Sequence, residues 1–231
     1  GPIVEEPDDD EEEEKEEPEE IDPDVISRDE ADIDPPQELG EVGKEASEAE
    51  QEAAGDARAA AMDAMGEGNL ELAVAKFSAA ILAAPSANLL ATRGTCFLKM
   101  KKPLAAIRDA TRALEHNADS AKAYKLRGKA HCLLGDWKEA VKDLGTGQNI
   151  DYDEDSYELQ KKAKAHVEKE KERERKKKER EEKRQKKLRE QRAREMAESQ
   201  AGAAGAGFPG MGGMGGFPGM GGMGGFPGMG G

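Results

Sequence analysis

The chain has 231 residues and a formal net charge of −15 at pH 7, but charge and apolar content are spread so unevenly that a single uniform globular domain is excluded. Residues 1–52 hold 25 Asp or Glu against three Lys or Arg, residues 53–159 hold 15 against 14, and residues 160–195 hold nine against 18. From residue 201 onward 16 of 31 residues are Gly, which leaves 53–159, with most of the Leu, Ile, Val and aromatics, as the only stretch able to build a core.

Residues 1–52 therefore read as an acidic disordered arm, too poor in apolar side chains to offset its ordering entropy. Its first residues show no basic segment leading into an apolar one, and no run of eighteen apolar residues occurs anywhere, so neither secretion nor membrane insertion is expected. Cys96 and Cys132 stand alone without a C-x-x-C spacing, which points to a reduced, cytoplasmic chain. The chain starts with Gly1 rather than Met and stops partway through a tail repeat, as a fragment would.

The central stretch is periodic. Gly68-Asn69-Leu70-Glu71-Leu72-Ala73, Lys101-Lys102-Pro103-Leu104-Ala105-Ala106 and Gly135-Asp136-Trp137-Lys138-Glu139-Ala140 align so that Ala73, Ala106 and Ala140 fall 33 and 34 residues apart. That period is the length of a tetratricopeptide repeat, a pair of antiparallel helices. In the same register Ala61, Ala64, Phe77, Ala80 and Pro85 take the expected small and large positions of repeat one. Gly94, Phe97, Ala110 and Ala113 do so in repeat two, and Tyr124, Gly128 and Leu144 in repeat three. The expected fold is all-α, with three tetratricopeptide hairpins at about 54–86, 87–120 and 121–154 filling a domain over 53–155. Repeat three ends on Gly145, Thr146, Gly147 and Asp151 where an Ala and a Pro are usual, which predicts a loosened second helix.

A stack of hairpins needs a polar helix over its last apolar face. Residues 156–200 supply one: Ser156 is a suitable N-cap, and Tyr157, Leu159, Ala163 and Val167 form a short apolar stripe. Beyond Val167 the stripe fades into a long charged single helix with Glu/Lys pairs four apart, such as Glu172/Lys176 and Glu182/Lys186. No apolar heptad accompanies them, so a coiled coil is disfavoured. Residues 201–231 repeat Phe-Pro-Gly-Met-Gly-Gly-Met-Gly-Gly with a period of nine and read as a disordered tail.

Chemistry is scarce in this pattern. His116, His131 and His166 lack partners at metal-ligand or catalytic spacing, and no phosphate-cradling glycine motif lies between a strand and a helix. A non-enzymatic binding protein without cofactor or metal is expected. Its binding surface should be the concave face, lined in repeat three by Lys122, Lys125, Lys129, Cys132 and Leu133. The three lysines recur at helical spacing, and Arg58 and Lys99 from the earlier repeats are expected to point into the same groove, making it attractive to an acidic partner.

Several segments together are more specific than the repeat pattern alone. Asp-Pro-Pro-Gln-Glu-Leu-Gly at 34–40, Lys-Lys-Pro-Leu-Ala-Ala-Ile-Arg-Asp-Ala at 101–110, the stretch from Asp119 to Gly135, and Ile-Asp-Tyr-Asp-Glu-Asp at 150–155 precede the charged helix and the Gly-Met tail. In that order they resemble the co-chaperone family called Hip, the heat-shock-cognate-70-interacting proteins. The resemblance implies binding to the ATPase domain of the 70-kDa heat-shock chaperone in its ADP state, which slows ADP release and prolongs client holding. It also implies an N-terminal dimerisation segment and a C-terminal Asp-Pro-rich domain that this chain does not show, so a homodimer is expected only with such a segment.

Two rival readings stay open. In a carboxylate clamp, repeat grooves hold a chaperone's C-terminal Glu-Glu-Val-Asp. At the matching positions this chain has Arg58, Met62, Thr92, Lys122 and Leu126, so only the two cations fit. A histone or nucleic-acid chaperone would use the acidic arm or the basic helix. The helix lacks interleaved aromatics and carries glutamates that repel phosphate, so no nucleic-acid partner is expected.

Overall fold

A computed structural model of the chain describes residues 22–28 and 35–205. The expected disordered arm lies outside the described residues at 1–21 and 29–34, as does the expected Gly-Met tail from 206 onward. Among the described residues there are seven helices and no strand: α1 Glu48–Gly66, α2 Leu70–Ala83, α3 Ala87–Lys99, α4 Pro103–His116, α5 Ala121–Leu133, α6 Trp137–Ile150 and α7 Glu154–Gly205. The pairs α1/α2, α3/α4 and α5/α6 pack as hairpins, and α2 on α3 and α4 on α5 join them into a stack. Because α3 also touches α5, the first helices of neighbouring repeats line one side.

Local chemistry sets the ends of these helices. Ser47 and Glu50 form a reciprocal capping box at α1, and Asn69, Ser86 and Ser120 cap α2, α3 and α5 through their side chains. Each hairpin turn closes the same way. A residue with φ of +81° at Gly68, +59° at Lys101 and +72° at Gly135 reverses the chain. The next amide then bonds back to the carbonyl of Ala64, Phe97 or His131, which satisfies carbonyls the helix end would otherwise leave open.

The small residues that set the repeat register are the contacts between helices. Ala61, Ala73, Ala80, Ala106, Ala110, Ala113 and Ala140 are fully buried, with Phe77 and Leu144 as the large side chains between them. A Cβ on Gly128 would meet Leu144 at 2.7 Å, and one on Gly94 would meet Leu126 at 2.5 Å, so neither position has room for a side chain.

The glycines of repeat three do not loosen it. α6 runs unbroken to Ile150, and Gly147 instead admits Lys125, whose Cγ would stand 2.7 Å from an added Cβ. Gly145 likewise leaves space for the amide of Gln160 from α7. Through residue 174, α7 covers the last repeat by a face of Ser156, Gln160 and Ala163, packed with Leu159 against Ala140 and Leu144. Ser156 is not the cap. Its amide donates to Asp153 Oδ1 at 2.8 Å, so Asp153 caps the helix and Ser156 is buried inside the first turn. From residue 175 the helix is a separate unit in which exposed pairs such as Lys178–Glu182 and Lys186–Glu190, each at 3.9 Å, contribute little.

The folded region begins well before Ala53. Residues 35–47 lie against the repeats, held by one buried ion pair. Arg93 and Asp109, both fully buried, are joined at 2.6 and 2.9 Å by two parallel hydrogen bonds. Two further guanidinium hydrogens go to Ser78 Oγ and to the backbone carbonyl of Glu38, each at 2.8 Å. Gln37 completes the network, donating to Asp109 Oδ1 and the Ala105 carbonyl and accepting from Arg108. Leu39 then enters the core, and Gly40 turns with φ +69° directly over Ile81 and Pro85. Burial pushes the Asp109 carboxyl above its usual range against the opposing pull of Arg93.

Two outcomes follow from this packing. Gly128→Leu should cost on the order of 1–3 kcal/mol by overpacking Leu144, seen as a lower urea midpoint at unchanged slope; a wild-type midpoint would contradict the repeat register. Asp109→Asn leaves the Arg93 charge buried without its counter-ion and should cost about 3–5 kcal/mol, read by the same titration.

Candidate functional site

The five cations expected to form one stripe have three different fates. Lys122, at the start of α5, reaches across to α3, where its ammonium donates to Thr92 Oγ1 at 2.6 Å and Asn88 Oδ1 at 3.1 Å. The residue is exposed overall, but its charged end sits at the groove floor. Desolvation pushes its ammonium below the usual lysine range, and the neighbouring charge of Arg58 pushes the same way. Lys99 stands close by, since its charge and that of Lys122 both reach the buried thiol of Cys96, which burial raises. Arg58 and Lys99 are themselves exposed. These three cations come from α1, α3 and α5, the first helices of the three repeats.

Lys125 does not join them. It is only 9% exposed, and its ammonium is tied to Asp153 at 2.6 Å and Asp151 at 3.5 Å in the turn before α7. The expectation that it projects into the groove fails because Gly147 opens a channel on the opposite side, into which its stem packs. Lys129 lies further along α5, in a separate cleft of about 320 Å³ that it shares with Lys101 and Lys162. Sequence spacing alone missed this second basic cluster, because Lys162 comes from α7 and Lys101 from a hairpin turn.

The two clamp positions occupied by apolar residues also differ from each other. Met62 is exposed on α1, whereas Leu126 is buried and packs against Gly94. Neither offers a donor to a carboxylate. Two of the histidines have structural partners: His131 Nδ1 lies 3.3 Å from Asp136, and His166 stacks on Trp137 at 3.9 Å between ring centres, whereas His116 Nε2 is buried without a hydrogen-bond partner. Among the described residues no three His, Cys, Asp or Glu are grouped to hold a metal, and no helix is long and apolar enough to cross a membrane.

No family model matches the chain. A tetratricopeptide repeat-containing thioredoxin of Arabidopsis thaliana is 43% identical over 134 residues, 58% of this chain and 35% of that protein. Hsc70-interacting protein 1 of Drosophila melanogaster is 45% identical over 133 residues, 57% of this chain and 35% of the relative. The chain thus spans about a third of the length of these relatives. Among solved structures, the first tetratricopeptide domain of human RPAP3 aligns with a TM-score of 0.50 at 20% identity, covering 53% of this chain and 98% of that domain. The Sgt2 tetratricopeptide domain of Aspergillus fumigatus aligns at 0.50 and 17%, covering 58% and 88%. The chain is Hip-like in sequence and tetratricopeptide in fold.

The position of Lys125 generates a titration test. Its hydrogen bond, with that from the Ser156 amide, holds the Asp153 carboxyl down from 3.8 to about 2. A depressed carboxyl pKa contributes stability above its ordinary value that is lost as pH falls toward 2. In Lys125→Met the Asp153 midpoint should move back up toward the ordinary range near ~4, measured by carboxyl-detected NMR. A midpoint that stays near 2 would mean that Lys125 is not its partner.

Proposed function

We propose that this chain is a tetratricopeptide co-chaperone that binds the ATPase domain of a 70-kDa heat-shock chaperone in its ADP state. The observation that carries this reading is that Arg58, Lys99 and Lys122 stand on the first helices of three successive repeats, with Lys122 bonded across to α3. Such a surface suits a broad acidic face. The Hip-like sequence and the name carried by the Drosophila relatives favour the chaperone as its owner.

The mechanism needs no chemistry on this chain. A protein that binds the ADP form better than the nucleotide-free form tightens ADP binding by the same factor, because the coupling between the two ligands is reciprocal. Slower ADP release then prolongs client holding.

The alternative, capture of a chaperone's C-terminal Glu-Glu-Val-Asp, is disfavoured by Met62 and Leu126 and by the state of Lys122. Two of its ammonium hydrogens are already committed to Thr92 and Asn88.

Titration calorimetry with the isolated ATPase domain, with ADP and with ATP, alongside the free C-terminal peptide, separates the two. ADP-favoured binding is expected, and Lys99→Glu with Lys122→Glu should weaken it by several kcal/mol by placing like charges against an acidic face. Lys125 is unsuitable for such reversal, since a glutamate there would face Asp153 inside the fold. Tight peptide binding without ADP-favoured binding to the domain would overturn the proposal. Undiminished binding by the double variant would move the interface off these cations.

A further inference from the structure

The segment 22–28 is held differently from residues 35–47. It runs over the end of α5, the start of α6 and the first turns of α7 without entering the core. The amide of Ile26 donates to the carbonyl of Leu133 at 2.7 Å, at the C-terminal end of α5. Asp22 and Asp24 both reach the ammonium of Lys162, at 2.8 and 3.3 Å. Asp22 also lies 3.2 Å from His166 Nε2, on the ring that stacks against Trp137. Arg28 pairs with Asp136 at 2.6 Å, and Val25 lies against the turn at Gly135.

These are the elements of a peptide contact: a backbone hydrogen bond for direction, a cation for two carboxylates, and an apolar spot for the aliphatic pair. The face is also only partly used. Beside Asp24 lies the cleft of about 320 Å³, with Leu98, Leu133, Trp137 and Leu159 as apolar walls and Lys129 at its side. Asp22 is nearly buried against Lys162 and His166, whereas the outer pairs are weak. Arg28 is 62% exposed and Asp24 73%, and exposed ion pairs contribute at most about 1 kcal/mol each.

We propose that this face is a recognition site for extended acidic-aliphatic peptides of the pattern Asp-x-Asp-aliphatic-aliphatic, occupied in cis by residues 22–28 as a displaceable stand-in for a ligand in trans. A partner segment with the same pattern and a larger apolar residue would make the same contacts and fill the cleft as well. The site is distinct from the groove of Arg58, Lys99 and Lys122, so it stands or falls independently of the proposed ATPase-domain interface.

The test uses the full chain and a fluorescein-labelled heptapeptide of residues 22–28, followed by anisotropy. In the wild-type chain the tethered segment competes at an effective concentration on the order of millimolar, and binding in trans is suppressed. Asp22→Asn with Ile26→Pro removes a carboxylate and the amide donor from the tethered copy only. This opened variant should bind the peptide at least about tenfold more tightly, and adding Lys162→Glu should abolish the gain while helical circular dichroism stays unchanged. Three results would each overturn the proposal: equal binding by the wild-type and opened chains, equal binding of a scrambled peptide, or a gain that survives Lys162→Glu. Should Lys162→Glu disturb the fold, Lys162→Gln in the opened chain gives the same reading through the loss of the cation alone.

Discussion

A fully buried ion pair between Arg93 and Asp109 organises the molecule. A guanidinium is costly to take out of water unless its donors find acceptors, and here four hydrogen bonds reach Asp109, Ser78 and the Glu38 carbonyl. Two of these acceptors belong to other elements, so the pair ties α3 to α4, α2 and the segment before α1 at once. The next repeat carries the same pair 34 residues on, Arg127 with Asp143 at 2.6 and 2.8 Å. That copy is partly solvated and binds no preceding segment. Repeat one has Ala60 and Lys76 at the corresponding places and no such pair. The middle repeat is therefore the one that fastens residues 35–47, and the Pro-Pro-Gln-Glu-Leu-Gly stretch acquires a physical role: Gln37 and the Glu38 carbonyl complete a network that would otherwise hold unsatisfied buried groups.

The lysines of α5 show how little residue type decides by itself. Lys122, Lys125 and Lys129 share one helix and almost one face, yet one floors a groove, one is sealed in an ion pair and one lines a separate cleft. What separates them is the space their neighbours leave. Gly147 admits the stem of Lys125, Thr92 and Asn88 hold the head of Lys122, and the turn at Lys101 opens the cleft beside Lys129. A cation becomes available to a partner only where its own chain has not already neutralised it, which is why the binding surface is narrower than the count of basic residues suggests.

Close approach through small residues is the other recurring device. Alanines at the hairpin contacts and glycines at 94 and 128 bring helix axes together, and the large side chains Phe77, Leu126 and Leu144 fill the gaps thus made. The same logic explains the irregular end of repeat three, where glycine accommodates side chains from α5 and α7 rather than marking disorder. Helix α7 then serves two purposes within its first five turns. It covers Ala140 and Leu144, and through Lys162 and His166 it presents charge to the segment 22–28.

The three hairpins, their register and the covering helix were legible from the sequence, because alanines 33 and 34 residues apart record a local geometry that each repeat builds for itself. The first helix begins at Glu48 behind the capping box of Ser47 and Glu50, earlier than the apolar pattern places it. Helical spacing identifies which lysines share a face of α5, but not what each one meets there. The burial of Lys125, the cleft at Lys129 and the docking of residues 22–28 and 35–47 were not legible. Net charge marked those residues as part of an unfolded arm, and composition averages over a segment. A handful of well-placed groups, Gln37, Leu39 and the Ile26 amide among them, suffices to bind it once a complementary surface exists. Periodicity is a property of neighbours along the chain, whereas a docked segment finds its partners far along it, 55 positions for Glu38 and Arg93 and 144 for Asp22 and His166, and only the folded stack brings them together.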